Sequence, residues 1–227
     1  MTFGSKIKLK MGLGILILMS ISAPVSAVAM KAIYTGTVID SIDKTGVFEH
    51  GKGASLNGLS FTLTFVYDPD IAGAYRSSNY DSDTAYGGSS FGKTSSLISA
   101  KLEINGVALK PFGVGVGSAY RVSHFGNGMN QTYFQTFENS KTGKVHVNDI
   151  IYSYGYGPST AIPTDLEATV SLTLFSRSYA YFQFIHYDNE HEIYTMYATG
   201  YLDSKNLKVS PVLEVPTAFA LPCCVGN

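Results

Sequence analysis

The sequence predicts an all-β protein, an antiparallel β-sandwich of jelly-roll-like build with about ten short strands. Three observations predict it. Apolar residues recur with period two, most cleanly over Leu166–Phe175: Leu166, Ala168, Val170, Leu172 and Leu174 share one face, and Glu167, Thr169, Ser171 and Thr173 take the other. The periodic segments are separated by Gly, Asn and Asp, and none shows an i, i+3, i+4, i+7 stripe with caps. Of 227 residues 16 are Tyr and 13 Phe, types that strands favour, while only 15% are charged, too few for a coiled coil or charged helical bundle. The 45% hydrophobic content and net charge of -1 also exclude a disordered chain. A closed barrel is the alternative architecture.

Residues 1–27 read as a signal helix. Lys6, Lys8 and Lys10 form a basic start, Met11–Met19 is apolar, and Pro24 precedes the small-residue triplet Val25-Ser26-Ala27. Cleavage is expected after Ala27, with Ala29 as a second choice. An uncleaved anchor is the alternative, since Met11–Met30 carries no charge. Removal of the three lysines leaves a net charge of about -4, an acidic balance that disfavours nucleic acid as a partner.

The β-domain is expected over residues 32–209. Ala32–Asp40 is rich in β-branched residues, and Ser60–Tyr67 places Phe61, Leu63, Phe65 and Tyr67 on one face. Ser99–Ile104 alternates and meets Asn105-Gly106, a strong hairpin signal, with Val107–Lys110 returning. Further strands are predicted at Ala119–Phe125, Thr132–Glu138, Val145–Tyr154, Leu166–Phe175, Tyr179–Tyr187 and Ile193–Leu202. Two long loops are predicted, at Asp68–Ser96 and Gly155–Asp165.

Several motifs carry candidate chemistry. Gly87–Thr94 matches G-x-x-x-x-G-K-T, and Gly88–Gly92 matches G-x-S-x-G. Both patterns work only between a buried strand and a helix, whereas Leu97–Ile104 alternates as a strand. Asp68, Asp70, Asp81 and Asp83 cluster in one loop, and such carboxylates are the candidate ligands for Ca²⁺. Solvated turn residues are the other reading of them. His186 and His191 flank Asp188-Asn189-Glu190, where two facing imidazoles could share a metal; His50, His124 and His146 are scattered. Glu138, Asp149, Glu167, Glu190 and Glu192 read as outward strand or turn residues, and nothing singles out a catalytic pair. Tyrosines alternate at Tyr152, Tyr154 and Tyr156 and again at Tyr179 and Tyr181, a pattern that can line a sheet face as a platform for sugars or simply reflect strand preference.

The two cysteines, Cys223 and Cys224, are adjacent at the C-terminus, so the body is expected to hold no disulfide, and either cysteine could link two chains. The signal peptide, the opening strand Ala32–Val38, the closing Tyr197–Leu202 and the tail Pro211–Pro222 together resemble exported bacterial proteins with a PEP-CTERM sorting tail. The tail at 210–227 is a degenerate form of that signal: Glu214-Val215-Pro216 stands where Pro-Glu-Pro is usual, and Cys-Cys-Val-Gly-Asn follows Pro222. The resemblance implies secretion from a Gram-negative bacterium, exosortase processing and association with exopolysaccharide or biofilm matrix. From the residues themselves, the uncharged run Val215–Asn227 is too short to span a bilayer. The mature chain is therefore expected outside the cell, or in the periplasm, without a stable membrane anchor. The expected function is a non-enzymatic surface or matrix protein with polysaccharide as partner; the alternative is a secreted hydrolase such as a glycosidase on the same scaffold.

Overall fold

The computed structural model describes residues 28–110, 116–122, 127–142, 145–188 and 193–212. They form β1 (Met30–Asp43), β2 (Ser60–Tyr67), β3 (Tyr75–Ser78), β4 (Ser82–Gly87), β5 (Leu97–Ile104), β6 (Val107–Leu109), β7 (Val116–Val122), β8 (Met129–Thr142), β9 (Val145–Pro158), β10 (Val170–Leu172), β11 (Arg177–Asp188) and β12 (Ile193–Pro211). Among the described residues the one helical element is a 3-10 turn at Ser89–Phe91. The expected signal helix with its Ala27 site, and the tail with Cys223 and Cys224, lie outside the described residues.

Every ladder is antiparallel, in the order β3-β4-β7-β8-β9-β11-β12-β1-β2-β5-β6, with β10 on β12. Among the described residues the path ends at β3 and β6 rather than returning on itself. β1 and β12 pair from Met30 opposite Pro211 to Asp43 opposite Ala198, which joins the two ends of the domain. Two-sidedness comes from folding this one sheet over a shared core. Phe134 of β8 stacks on Phe65 of β2 at 5.4 Å and 19°, and also packs against Tyr67 at 5.0 Å and Tyr34 of β1 at 6.1 Å. All four rings are fully buried. Each such side chain contributes about 1.5–3 kcal/mol by leaving water. The buried phenols are also hydrogen-bonded: Tyr67 donates to the carbonyl of Leu166 at 2.7 Å, and the Tyr34 and Thr132 hydroxyls lie 3.2 Å apart.

Period two decides which residues reach that core. β2 buries Phe61, Leu63, Phe65 and Tyr67, as its alternation predicts. The Asn105-Gly106 turn links β5 to β6 with φ of 51° and 85°, the two positive values that a tight hairpin of this hand requires.

Three segments differ from the sequence expectation. The polar stretch Asp68–Ser96 is not one loop but carries the hairpin of β3 and β4, paired from Tyr75–Tyr86 to Ser78–Asp83. The inward residues of β4 are Asp83, Ala85 and Gly87, so its buried face shows no large apolar period. Leu166–Phe175 contributes only the three-residue β10. Its alternation slips after Leu172: Leu174 is 69% exposed, and Phe175 turns inward to stack on Tyr34 at 5.9 Å and 13°. The loop expected at Gly155–Asp165 begins late, because β9 runs on to Pro158.

Candidate functional site

The four aspartates do not converge on a common point. The carboxylate of Asp68 accepts the backbone N–H of Asp70 at 2.9 Å, while Asp81 is exposed at the β3–β4 turn. Asp83 is buried and faces Arg76, which donates through Nε at 3.1 Å and Nη2 at 2.8 Å; Nη1 bonds Asp70 at 2.5 Å, and Glu167 lies 3.4 Å from Nη2. The hydrogen bond to Asp83 is the largest of the effects that strengthen the hold of Arg76 on its proton, and it outweighs partial burial. Asp83 also accepts the N–H of Leu166 at 3.0 Å, so the corner ties the β3–β4 hairpin to the segment before β10. Two of the four carboxylates thus already face a guanidinium. Among the described residues no three His, Cys, Asp or Glu side chains group as a metal-holding set.

The other motifs resolve in place. In Gly87–Thr94 the backbone N–H groups are used locally: Gly88 and Lys93 bond each other in both directions at 3.2 Å, and Gly92 bonds Ser89 at 3.0 Å. Strand β5 follows, so the loop lacks the helix N-terminus that both Gly-rich patterns need. The side chains of His124, His146, His186 and His191 lie outside the described residues, as do those of Glu138, Glu190 and Glu192; His50 is exposed. Asp149, read from the sequence as outward, is fully buried. It has the same strand parity as Ile151 and Ser153 on the inner face, and its carboxylate accepts the N–H of Ile185 at 3.3 Å, where β12 shifts register against β11.

The tyrosines are what the sheet brings together. Pairing aligns Tyr133 of β8, Tyr154 of β9 and Tyr179 of β11 in one row. The next row runs Gln135–Tyr152–Tyr181–Tyr201–Asp40 across β8, β9, β11, β12 and β1. Four strand gaps make that row about 19 Å wide. The rings touch: Tyr154–Tyr179 5.3 Å, Tyr152–Tyr179 5.7 Å, Tyr152–Tyr181 5.6 Å, Tyr179–Tyr201 5.4 Å and Tyr181–Tyr201 5.2 Å between centroids. They pack side by side on the pleat, at interplanar angles of 25–53°. Their hydroxyls are tied to neighbouring amides and hydroxyls. Tyr181 donates to Gln183 at 2.5 Å and accepts from Thr199 at 3.2 Å, Tyr156 accepts from Gln131 at 3.2 Å, and Tyr133 donates to Gln135. Crowding removes water from Tyr179, and this, with hydrogen bonding of its O–H to the Tyr152 and Tyr201 hydroxyls, pushes its phenol above the ordinary tyrosine range; burial does the same to Tyr152.

At the β1 end the ladder opens into a groove of about 460 Å³ lined by Asp40, Ser41, Ile42, Tyr181, Thr199, Gly200 and Tyr201. Two backbone features make it. The β1–β12 register shifts between Val38 and Asp40, so Ile39 has no partner, and Ile39 and Asp40 are both exposed in succession. Such a bulge re-aims side chains, and here it sets the Asp40 carboxylate beside Tyr201. Gly200 forms the floor: a Cβ there would lie 2.6 Å from Ser41 Cβ and 2.8 Å from the Phe182 ring. Asp40, Thr199 and Tyr201 were not singled out by the sequence, because a bulge and cross-strand register have no local signature.

No family model matches this chain, and neither the curated proteins nor the solved structures contain a match. No helix among the described residues is long and apolar enough to cross a membrane.

Proposed function

We propose that the protein is an exported, non-enzymatic β-sandwich that holds extracellular polysaccharide on its tyrosine face, with the groove as the anchoring subsite. The observation that carries this reading is the row ending in Tyr181, Tyr201 and Asp40 around an open groove. A sugar ring has an apolar C–H face and a rim of hydroxyls. Tyr181 and Tyr201 offer aromatic surface for the first. Asp40, exposed, offers carboxylate oxygens as acceptors for the second. Gln135, Gln183 and Thr199 extend the polar contacts along the face.

A carboxylate at the groove favours neutral glycans over uronic-acid polymers through simple charge repulsion. The secreted setting rests on the N-terminal segment and the resemblance of the tail. The test is affinity electrophoresis of the purified chain through gels containing neutral and acidic polysaccharides. Retardation by neutral glucans or galactans that is lost in Asp40→Ala is the expected result. Equal mobility with and without every polysaccharide overturns the reading.

A further inference from the structure

We infer that the tyrosine ladder is a site of oxidative phenol coupling centred on Tyr179, which joins β9 to β11 covalently when the protein meets a one-electron oxidant. Such coupling does not depend on polysaccharide binding. The sequence has no Trp, and its two Cys are the adjacent pair at 223 and 224, so among the described residues tyrosine is the side chain that yields an electron most readily. Methionine consumes two-electron oxidants by oxygen transfer and does not compete for this chemistry. A hole placed on any ladder ring finds another phenol at 5.2–5.7 Å, and Tyr179 touches three of them, Tyr152, Tyr154 and Tyr201. Tyr154 and Tyr152 lie closest to parallel with Tyr179, at 25° and 27°, the offset stacking that brings ring edges together. The neighbouring hydroxyls also give a departing phenol proton an acceptor.

Each of two phenols loses one electron and its O–H proton. The two radicals join through a new C–C bond between ring carbons ortho to the oxygens. The two ortho hydrogens then leave as protons while the oxygens regain theirs, restoring both aromatic rings. Hydrogen peroxide, acting through a haem peroxidase, takes up the two electrons and two protons and becomes two waters. The product is a biphenol staple between β9 and β11.

The experiment treats the full chain with haem peroxidase and limiting hydrogen peroxide, isolates the fraction that remains monomeric on a denaturing gel, and maps tryptic peptides. Cleavage after Lys144, Arg177 and Lys205 puts Tyr152 and Tyr154 on peptide 145–177 and Tyr179 and Tyr201 on peptide 178–205, so a β9–β11 link joins two peptides. The expected result is blue biphenol fluorescence in the monomer, the two peptides joined through Tyr179, and a several-fold fall in that joined species in Tyr179→Phe. That variant removes one oxygen, and its thermal midpoint verifies that it folds. The same treatment in denaturant, where the ladder is dispersed, should scatter the links over many tyrosines. Absence of biphenol in the native monomer, links only between chains, joining at residues other than Tyr179, or an undiminished yield in Tyr179→Phe overturns the inference.

Discussion

Tyr34 and Tyr67 belong to the inside of the sheet, whereas Tyr152, Tyr154, Tyr179, Tyr181 and Tyr201 belong to the outside. The residue type is the same and the physical task differs. Tyr34 and Tyr67 are fully buried, packed against Phe134, and each phenol is held by a hydrogen bond inside the core. The outer rings pack mainly against one another, and Tyr201 is 37% exposed. A one-residue change of strand parity separates the two sets. The inner set stabilises the fold; the outer set is crowded enough to be ordered but remains in reach of a ligand or an oxidant.

Substitutions test that division, beginning inside. Phe134→Ala removes the ring shared by Phe65, Tyr67 and Tyr34, and should cost about 3–5 kcal/mol in chemical denaturation. Gly200→Ala acts on the boundary between the faces. Its methyl meets Ser41 and Phe182 below contact distance, so a loss of about 1–3 kcal/mol is expected, read as a lower denaturation midpoint. Tyr67→Phe leaves the buried Leu166 carbonyl without the Tyr67 hydroxyl and should cost about 1–2 kcal/mol with little change in packing.

The smallest effect is outside and depends on pH. Tyr179 holds its proton more tightly when folded than when unfolded, so its contribution is complete below the unfolded phenol value, about pH 10, and declines as pH rises beyond it. Tyr179→Phe should therefore match the parent melting temperature to within a degree or two at pH 7 and show a shallower decline above pH 10. Identical slopes in the two proteins would remove the crowding argument.

Much of the fold was legible in the sequence because one-dimensional alternation decides it. Ser60–Tyr67 has the bounds of β2, and Asn105-Gly106 is the β5–β6 turn. β3 and β4 were not legible, because their inner face is built on Asp83 satisfied by Arg76 and on small residues, and no apolar period marks such a strand. The site was legible only in part. Tyr152, Tyr154, Tyr156, Tyr179 and Tyr181 show their alternation within each strand, but their joining to Tyr133, Tyr201 and Asp40 depends on register between strands and on the bulge at Ile39. The four aspartates show the converse. Closeness in sequence suggested a cation site, whereas folding sets two of them on the guanidinium of Arg76, a residue between them in the chain.

The central claim is that the outer tyrosines bind and the inner ones fold. Its most direct test sets Tyr201→Ala beside Tyr67→Phe, with thermal midpoint and retardation in neutral polysaccharide gels measured on the same samples. Tyr201→Ala is expected to keep its midpoint within a few degrees and to weaken binding by about tenfold or more, the loss of roughly 1.4 kcal/mol of contact. Tyr67→Phe is expected to lower the midpoint and, while folded, to be retarded like the parent. Equal retardation of the two variants, or loss of binding in Tyr67→Phe alone, would overturn this division of roles.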